Sequence, residues 1–196
     1  MYEFKDPTPA TRLASGTLLF YLAANAALAA ILLVRLLDLP PPLAAVSGLE
    51  VVETVGVAVV LSTLACWILV GRWIYRVSAN AHALSAEMTI TPGWAVGFYF
   101  VPIANLFKPY QALKETWHGS HFGGEGEGAG LLPLWWGLWL VGSFLGRMRG
   151  FGADAALGWF DLAGPVVDIV LTLVLIEIMR RLVRAQRSAF SAEVFA

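Results

Sequence analysis

The chain has 196 residues, of which 58% are hydrophobic and only 14% are charged. An average soluble domain has about 25% charged residues, so this composition excludes an ordinary water-soluble protein. A formal net charge of −1 excludes the broad basic surface that binding to nucleic acid requires.

Four apolar runs predict membrane-spanning helices, because a span needs about 20 apolar residues, with a lower limit near 17. The first run follows a polar tail, residues 1–12. At about 22 residues it is too long for a secretory signal peptide. The predicted spans are residues 13–34, 51–71, 131–146 and 163–180. The chain is therefore predicted to be an all-α integral membrane protein.

Polar segments connect and follow these spans. Arg72, Arg76 and Asn80 recur every fourth residue over residues 72–88, which predicts a cytoplasmic helix with one polar face. Residues 119–130 are rich in glycine and lack the lysine of a phosphate-binding loop, so they are predicted to form a flexible loop. Residues 181–196 form the last predicted tail.

Residues 93–107 begin like a membrane helix but are short for one. About 15 residues give a helix of about 22 Å, against a hydrocarbon core of about 30 Å. Pro102 also removes a backbone hydrogen bond within the segment, and Asn105 is placed to cap a turn there. A re-entrant segment is therefore predicted, with a short fifth transmembrane helix as the alternative.

Positive charge favours the re-entrant prediction. With four spans and a re-entrant segment, ten of the 13 lysines and arginines lie on the cytoplasmic side. A fifth span would divide them almost equally between the two sides. Because short cytoplasmic loops are enriched in lysine and arginine, both termini are predicted to be cytoplasmic.

Residues 109–118 are predicted to form an interfacial helix. Tyr110, Leu113 and Trp117 share one face, whereas polar side chains such as Lys114 occupy the other. This separation is typical of a helix that lies in the plane of the membrane surface.

Two blocks, WIYRVSANAHAL and TPGWAVGFYFVPIANLFKPYQALKETW, resemble the motif of a bacterial membrane family known as domain of unknown function 4328. The resemblance covers about residues 67–118 and implies a location in the bacterial inner membrane. The family implies no established activity. The motif positions are Trp73, Tyr75, Arg76, Asn80, Pro92, Trp94, Pro102, Asn105, Leu106, Pro109, Tyr110, Glu115 and Trp117.

The polar motif residues Arg76, Asn80, Asn105 and Glu115 form the candidate site. One hypothesis is a pocket for a lipid head group or small ligand, in which Glu115 orients the arginine. The other is a structural network in which Arg76 pairs with Glu115, because irregular backbone inside a membrane needs satisfied partners.

Two acids in the last span are interpreted as interface acids. Asp168 lies three residues after Pro165, where a helix start would favour negative charge. Glu177 is predicted to pair with Arg181, one turn further along.

No catalytic pattern is present, so an enzyme is not favoured, and no cofactor or metal is predicted. The leading hypothesis is a non-catalytic membrane module that binds a lipid head group or a partner protein. The alternative is a small oligomeric channel or transporter with a site at residues 102–109, where the helix is broken. Small-residue faces at positions 58/62/66 and 142/146 favour helix packing within one chain or in a homo-oligomer.

Overall fold

The computed structural model describes residues 2–40, 48–121, 126–151 and 158–194, without the side chains of 149–151 and 192–194. All regular secondary structure in these ranges is helical, which confirms the all-α prediction. Two short 3₁₀ turns, Phe98–Phe100 and Ala104–Leu106, accompany the α-helices. The α-helices are α1 (Thr8–Leu36), α2 (Leu49–Leu84), α3 (Pro92–Gly97), α4 (Lys108–Ser120), α5 (Leu131–Phe151) and α6 (Trp159–Val194).

The four long helices form a bundle. Helix α1 packs against α2 and α6, and α5 packs against α6. Helices α3 and α4 pack against α2, and α4 also contacts α5 and α6. The beginning of α1 and the ends of α2, α4 and α6 meet through side-chain hydrogen bonds at one end of the bundle. We call this the Asn80 end.

Three helices are long and apolar enough to cross a membrane, namely α1, α2 and α6, among the described residues. Only 11% of the most apolar window of α2 is buried inside the protein, so its side chains face outward, as in a lipid environment. Helix α5 contains the predicted span 131–146 but is not one of these three. At 21 residues, it is nevertheless about 31 Å long.

Two long helices extend beyond the predicted spans. Helix α2 continues without a break from Leu49 to Leu84, so the predicted span 51–71 and most of the predicted helix 72–88 belong to one helix. Helix α6 likewise continues past the predicted span 163–180 to Val194, so most of the predicted tail 181–196 is helical. In both places apolar residues continue on the buried face, for example Val77 in α2 and Leu182 in α6.

The position of Asp168 also differs from the prediction. Helix α6 begins at Trp159, and Pro165 lies inside it. Asp168 therefore sits more than two turns into the helix, beyond the first turn in which the helix dipole favours an acid. By contrast, the pair between Glu177 and Arg181 is confirmed, with 2.7 Å between Oε1 and Nε.

The main hydrophobic core is concentrated towards the Asn80 end, where the C-terminal half of α2 meets α4, α5 and α6. The core members with at most 4% of their surface exposed include Trp73, Val77, Leu113, Trp117, Leu132, Trp135, Ile178, Met179 and Leu182. This part of the protein has an interior of its own, whereas at most a third of each apolar window of α1, α2 and α6 is buried, with 28%, 11% and 33% respectively.

Candidate functional site

Residues 89–115 form a hairpin that leaves α2 and returns to the same place. At its base, the Glu115 carboxylate accepts hydrogen bonds from the backbone N–H groups of Thr89 and Ile90, each 3.0 Å long. The Thr89 hydroxyl donates a third bond of 2.7 Å. We call residues 89–115 the motif hairpin, since they contain all but the last two residues of the second block of the motif.

The tip of the motif hairpin is a strained turn. Residues 93–107 do not form one continuous helix, because α3 ends at Gly97 and gives way to 3₁₀ turns. The Ala104 N–H donates to the Pro102 carbonyl at 2.8 Å, across Ile103. Ile103 has φ +68° and ψ −53°, a γ-turn geometry that is rare and strained for a branched residue. Its side chain is 75% exposed.

Aromatic residues of α5 hold the outer part of the motif hairpin. The Trp136 indole N–H donates to the Leu106 carbonyl at 3.2 Å. Tyr99 meets Trp139 edge to face, with ring centroids 6.1 Å apart. The motif hairpin is thus fixed along α5 as well as along α2, and the tryptophans at the start of α5 pack against protein.

The prolines of the motif occupy positions suited to their restricted backbone. Pro92 lies in the first turn of α3 and Pro109 in the first turn of α4, where a missing N–H leaves no carbonyl unpaired. Pro102 is exposed and precedes the strained residue at the tip. Two of the prolines therefore begin helices of the motif hairpin, and the third lies at its tip.

Asn80 is the centre of a buried polar network. Its side chain is fully buried and donates to the Lys5 carbonyl at 2.8 Å and to Gln186 Oε1 at 3.1 Å. The Lys5 N–H donates back to Asn80 Oδ1 at 3.0 Å. Gln186 in turn donates to the Val77 carbonyl and to the Ser120 hydroxyl. One amide side chain therefore links the N-terminal tail, α2 and α6.

The tail itself is fixed by further contacts. Phe4 stacks on Phe190 of α6, with ring centroids 4.2 Å apart, and Tyr2 packs against His82. Asp6 accepts hydrogen bonds from the hydroxyl and the backbone N–H of Thr8. These bonds hold the pKa of the Asp6 carboxyl below its ordinary value of 3.8. The predicted polar tail is therefore docked against the bundle.

The four candidate polar residues do not form one pocket. Glu115 bonds to Thr89 and Ile90, and the predicted pair between Arg76 and Glu115 is not formed within the described part of the chain. Asn105 lies near the tip of the motif hairpin, where its backbone N–H donates to the Val101 carbonyl. Asn80 and Glu115 thus act in separate networks, and both networks tie segments of the chain together.

The motif aromatics divide into a buried and an exposed pair. Trp73 and Trp117 are fully buried in the core, and the Trp73 indole N–H donates to Thr11 of α1. Tyr75 and Trp94 face outward, with exposed fractions of 45% and 54%. Tyr110 packs against Trp136 of α5. The exposed pair is therefore available to a ligand, and the buried pair is structural.

Helix α4 has the predicted two faces, but protein covers its apolar face. Leu113 and Trp117 are buried, whereas Gln111 and Lys114 are exposed. These buried side chains have no surface left to place in a lipid bilayer. The prediction of a helix that lies flat on the membrane through these residues therefore receives no support from their burial.

A groove of about 620 Å³ lies between α2 and the motif hairpin. Its lining is mainly apolar, and Arg72 is the one charged residue among the nine that line it. Trp67, Ile68 and Phe100, at the outer part of the groove, are each at least 65% exposed. The remaining lining residues are Leu64, Gly71, Tyr75, Gly93 and Val96. We call this the α2 groove.

A second, smaller cavity of about 330 Å³ lies at the Asn80 end, between the end of α2 and α4. Its charged lining residues are of both signs, namely Glu87, Lys114 and Glu115. Glu115 is already engaged by Thr89 and Ile90. The remaining acid and base in the lining are one of each sign, so this cavity does not single out an anion or a cation.

Sequence reasoning missed two members of the polar network, Gln186 and Ser120. Gln186 lies in a run of arginines that looks like a solvated tail. A periodic pattern would have found it, because Ile178, Leu182, Gln186 and Ala189 lie on one helix face and are all buried. No comparable pattern marks Ser120, which the prediction assigned to the glycine-rich loop; residues 122–125 of that loop lie outside the described residues.

The small-residue faces have different surroundings. Ser62 is buried in the bundle, in which α1 packs against α2. Gly142 faces α6, where an added β-carbon would lie 3.5 Å from Val167. Gly146 is exposed, with no neighbouring atom at that position. Only part of the predicted small-residue surface is therefore used within the chain.

Comparison with known proteins gives one match. The family model described as Domain of unknown function (DUF4328) matches residues 43–186. This range contains both motif blocks and extends through α5 into the last turns of α6. No curated protein and no solved structure matches the chain.

Proposed function

The chain belongs to the DUF4328 family, and from this premise we propose that it is a non-catalytic membrane module that binds an anionic phospholipid in the α2 groove. The observation that carries the proposal is the single cation, Arg72, beside an otherwise apolar groove at the edge of an apolar helix. This combination matches a lipid, which has an acyl chain next to a phosphate.

Dimensions support this occupant. The groove extends from Leu64 to Tyr75, about 16 Å along α2, or roughly half of a 30 Å hydrocarbon core. It therefore suits the acyl chain of a lipid in one leaflet. Arg72 follows directly after the most apolar part of α2, where a phosphate would lie. The planar guanidinium can donate two parallel hydrogen bonds to that phosphate.

The aromatic residues beside the α2 groove also support the placement of Arg72 at the level of the lipid phosphates. Tyr75 lines the groove, Trp94 directly follows the lining residue Gly93, and both rings are exposed. Such rings favour the boundary between head groups and acyl chains. Arg76 lies one turn beyond Arg72 and adds a second positive charge on the head-group side. No acidic residue is among the nine that line the groove.

In the proposed topology, α1, α2, α5 and α6 span the bacterial inner membrane, and the motif hairpin re-enters it from the cytoplasmic side. The Asn80 end, with both termini, is cytoplasmic. Closure of the hairpin by Glu115 supports re-entry, because Thr89 and Glu115 then lie on the same side. Near the tip of the proposed re-entrant segment, Phe100 lines the α2 groove together with Ile68 of α2.

Cysteine accessibility tests this topology. In a Cys66→Ala background, single cysteines at Gln111 and Ser188, both exposed at the Asn80 end, are expected to react only with a cytoplasmic reagent. A cysteine at Arg147, near the opposite end, is expected to react only from outside. If Gln111 and Arg147 react from the same side, the four-span topology is wrong.

Lipid binding is tested with the purified full chain and defined lipids, by native mass spectrometry or fluorescence titration. We expect Arg72→Gln to weaken binding of phosphatidylglycerol roughly fivefold, because one basic residue near an anionic surface contributes about 1 kcal/mol. Binding of phosphatidylcholine should change less. Arg184→Gln, which removes an exposed arginine of α6 outside the groove, is the matched control.

A second variant tests the apolar part of the groove. Gly93 is exposed and has no atom within 4 Å of an added β-carbon, so Gly93→Leu fills space without a clash. This substitution should weaken the binding of both phosphatidylglycerol and phosphatidylcholine. Equal losses of lipid affinity in Arg72→Gln and Arg184→Gln, with no effect of Gly93→Leu, would overturn the proposal.

Two other observations would favour the alternatives. Ion flux in liposomes that is abolished by Asn105→Leu would favour the channel alternative. Co-purification of a second protein in a fixed stoichiometric ratio would favour a protein partner.

A further inference from the structure

A group of polar side chains meets at mid-height in the bundle, away from the α2 groove. The Tyr21 hydroxyl of α1 faces the Asp168 carboxyl of α6. Asn25, also in α1, and Cys66 of α2 lie beside Tyr21. From α5, Gly142 approaches so closely that an added β-carbon would lie 3.6 Å from Asp168 Oδ1. We call Tyr21, Asn25, Cys66 and Asp168 the mid-bundle cluster.

The cluster lies at the centre of the helices that contain it. Tyr21 is 13 residues from the start of α1, or about 20 Å, and α1 has 29 residues. Gly142 is similarly near the middle of α5, which has 21 residues. With a hydrocarbon core of about 30 Å, Asp168 is close to the midplane of the membrane in a bundle that spans it.

No cationic side chain faces Asp168 in the described part of the chain. Tyr21 faces it from α1, and Cys66 of α2 lies beside Tyr21. Helix α5 presents Gly142, and its nearest cation, Arg147, donates to the Ser143 carbonyl at 3.1 Å instead. Along α6, the nearest ionisable groups are Asp161 and Glu177, about 10 Å and 13 Å away by helical rise. Both are themselves acids, and Glu177 is paired with Arg181.

Other polar groups near the carboxyl are committed to the backbone. The Asn25 amide donates to the Tyr21 carbonyl at 3.0 Å, and the Thr172 hydroxyl donates to the Asp168 carbonyl at 2.7 Å. A bound Ca²⁺ or Mg²⁺ would need about six oxygen ligands, whereas one carboxyl and one phenol oxygen face each other here. The donor set therefore suits a proton better than a metal ion.

We propose that the Asp168 carboxyl is a proton-binding site in the middle of the bundle, with the Tyr21 hydroxyl as its hydrogen-bonding partner. A carboxylate without a counter-ion in hydrocarbon is costly, and ionisable residues at this depth mark functional sites. Uptake of one proton converts the carboxylate to a neutral carboxyl and changes no other bond. The charge between α1, α5 and α6 changes by one unit in the same step.

Infrared spectroscopy of the full chain in lipid nanodiscs tests this inference. At neutral pH an ordinary aspartate is ionised, so a carbonyl stretching band from a protonated carboxyl identifies an unusual site. We expect such a band in the parent protein and its loss in Asp168→Asn. Asp161→Asn, which removes another acid of the same helix, should retain the band.

Tyr21→Phe is the variant that tests the partner. Removal of its hydroxyl should shift the carboxyl band to higher frequency, because a hydrogen bond to the carboxyl is lost, without abolishing it. Circular dichroism checks that each variant is folded; if Asp168→Asn is not, the Tyr21→Phe shift carries the test. Absence of the band in the parent protein, or an unshifted band in Tyr21→Phe, overturns the proposal.

Discussion

Asn80→Ala is expected to lower the free energy of unfolding by about 2–4 kcal/mol. The substitution removes both hydrogen bonds to the backbone of Lys5 and the bond to Gln186. Gln186 is fully buried, so its Oε1 atom would lose its partner without access to water. A buried acceptor left unpaired costs more than the net value of the bond it made, which is why the expected effect is large.

The measurement is thermal or denaturant unfolding in one detergent, followed by tryptophan fluorescence. Asn105→Ala is the matched control, since Asn105 is another motif asparagine whose side chain makes no hydrogen bond in the described part of the chain. Its expected effect is within about 0.5 kcal/mol. Equal effects of the two substitutions would contradict the structural role assigned to Asn80. Gln186→Leu in combination with Asn80→Leu should cost less than the sum of the two single changes, because the buried amide that each single change leaves unpaired is then absent, while the Lys5 backbone and the Ser120 hydroxyl still lose a partner.

Glu115→Ala is expected to open the base of the motif hairpin. Three donors, the N–H groups of Thr89 and Ile90 and the Thr89 hydroxyl, share this one carboxylate. Bonds to a charged acceptor are stronger than neutral ones, although Thr89 is exposed and can bond to water instead. We expect a local loss of about 2 kcal/mol, which corresponds to roughly 30-fold faster amide exchange at Thr89 and Ile90.

Hydrogen–deuterium exchange with mass spectrometry measures this opening peptide by peptide. Glu115→Gln should give an intermediate rate, since the amide oxygen still accepts hydrogen bonds without the charge. Glu87→Ala is the control, because Glu87 is an exposed acid next to the same cavity whose carboxylate closes no backbone segment. Unchanged exchange at residues 89–90 in Glu115→Ala would show that packing against α2 and α5 alone holds the motif hairpin closed.

The long apolar runs predicted three of the long helices well, because burial in lipid and burial in protein both require continuous apolar surface. The sequence also placed the break near Pro102, since proline and asparagine interrupt a helix locally. The contacts of Asn80 were not predictable, because they depend on Lys5 and Gln186, which are distant in sequence. For the same reason, the partners of Glu115 were wrongly predicted: Arg76 is a plausible charge pair, but backbone N–H groups lie closer.

The bond from Asn80 to Gln186 also constrains the order in which a new chain acquires its structure. The partners are separated by 106 residues, and Lys5 lies 75 residues before Asn80. At a synthesis rate of about 5–20 residues per second, Asn80 emerges about 5–20 s before Gln186 does, and Lys5 emerges earlier still. During that interval the Asn80 amide lacks Gln186 as its partner. The hydrogen bond between the two side chains therefore forms only after α6 has been synthesised and packed into the bundle.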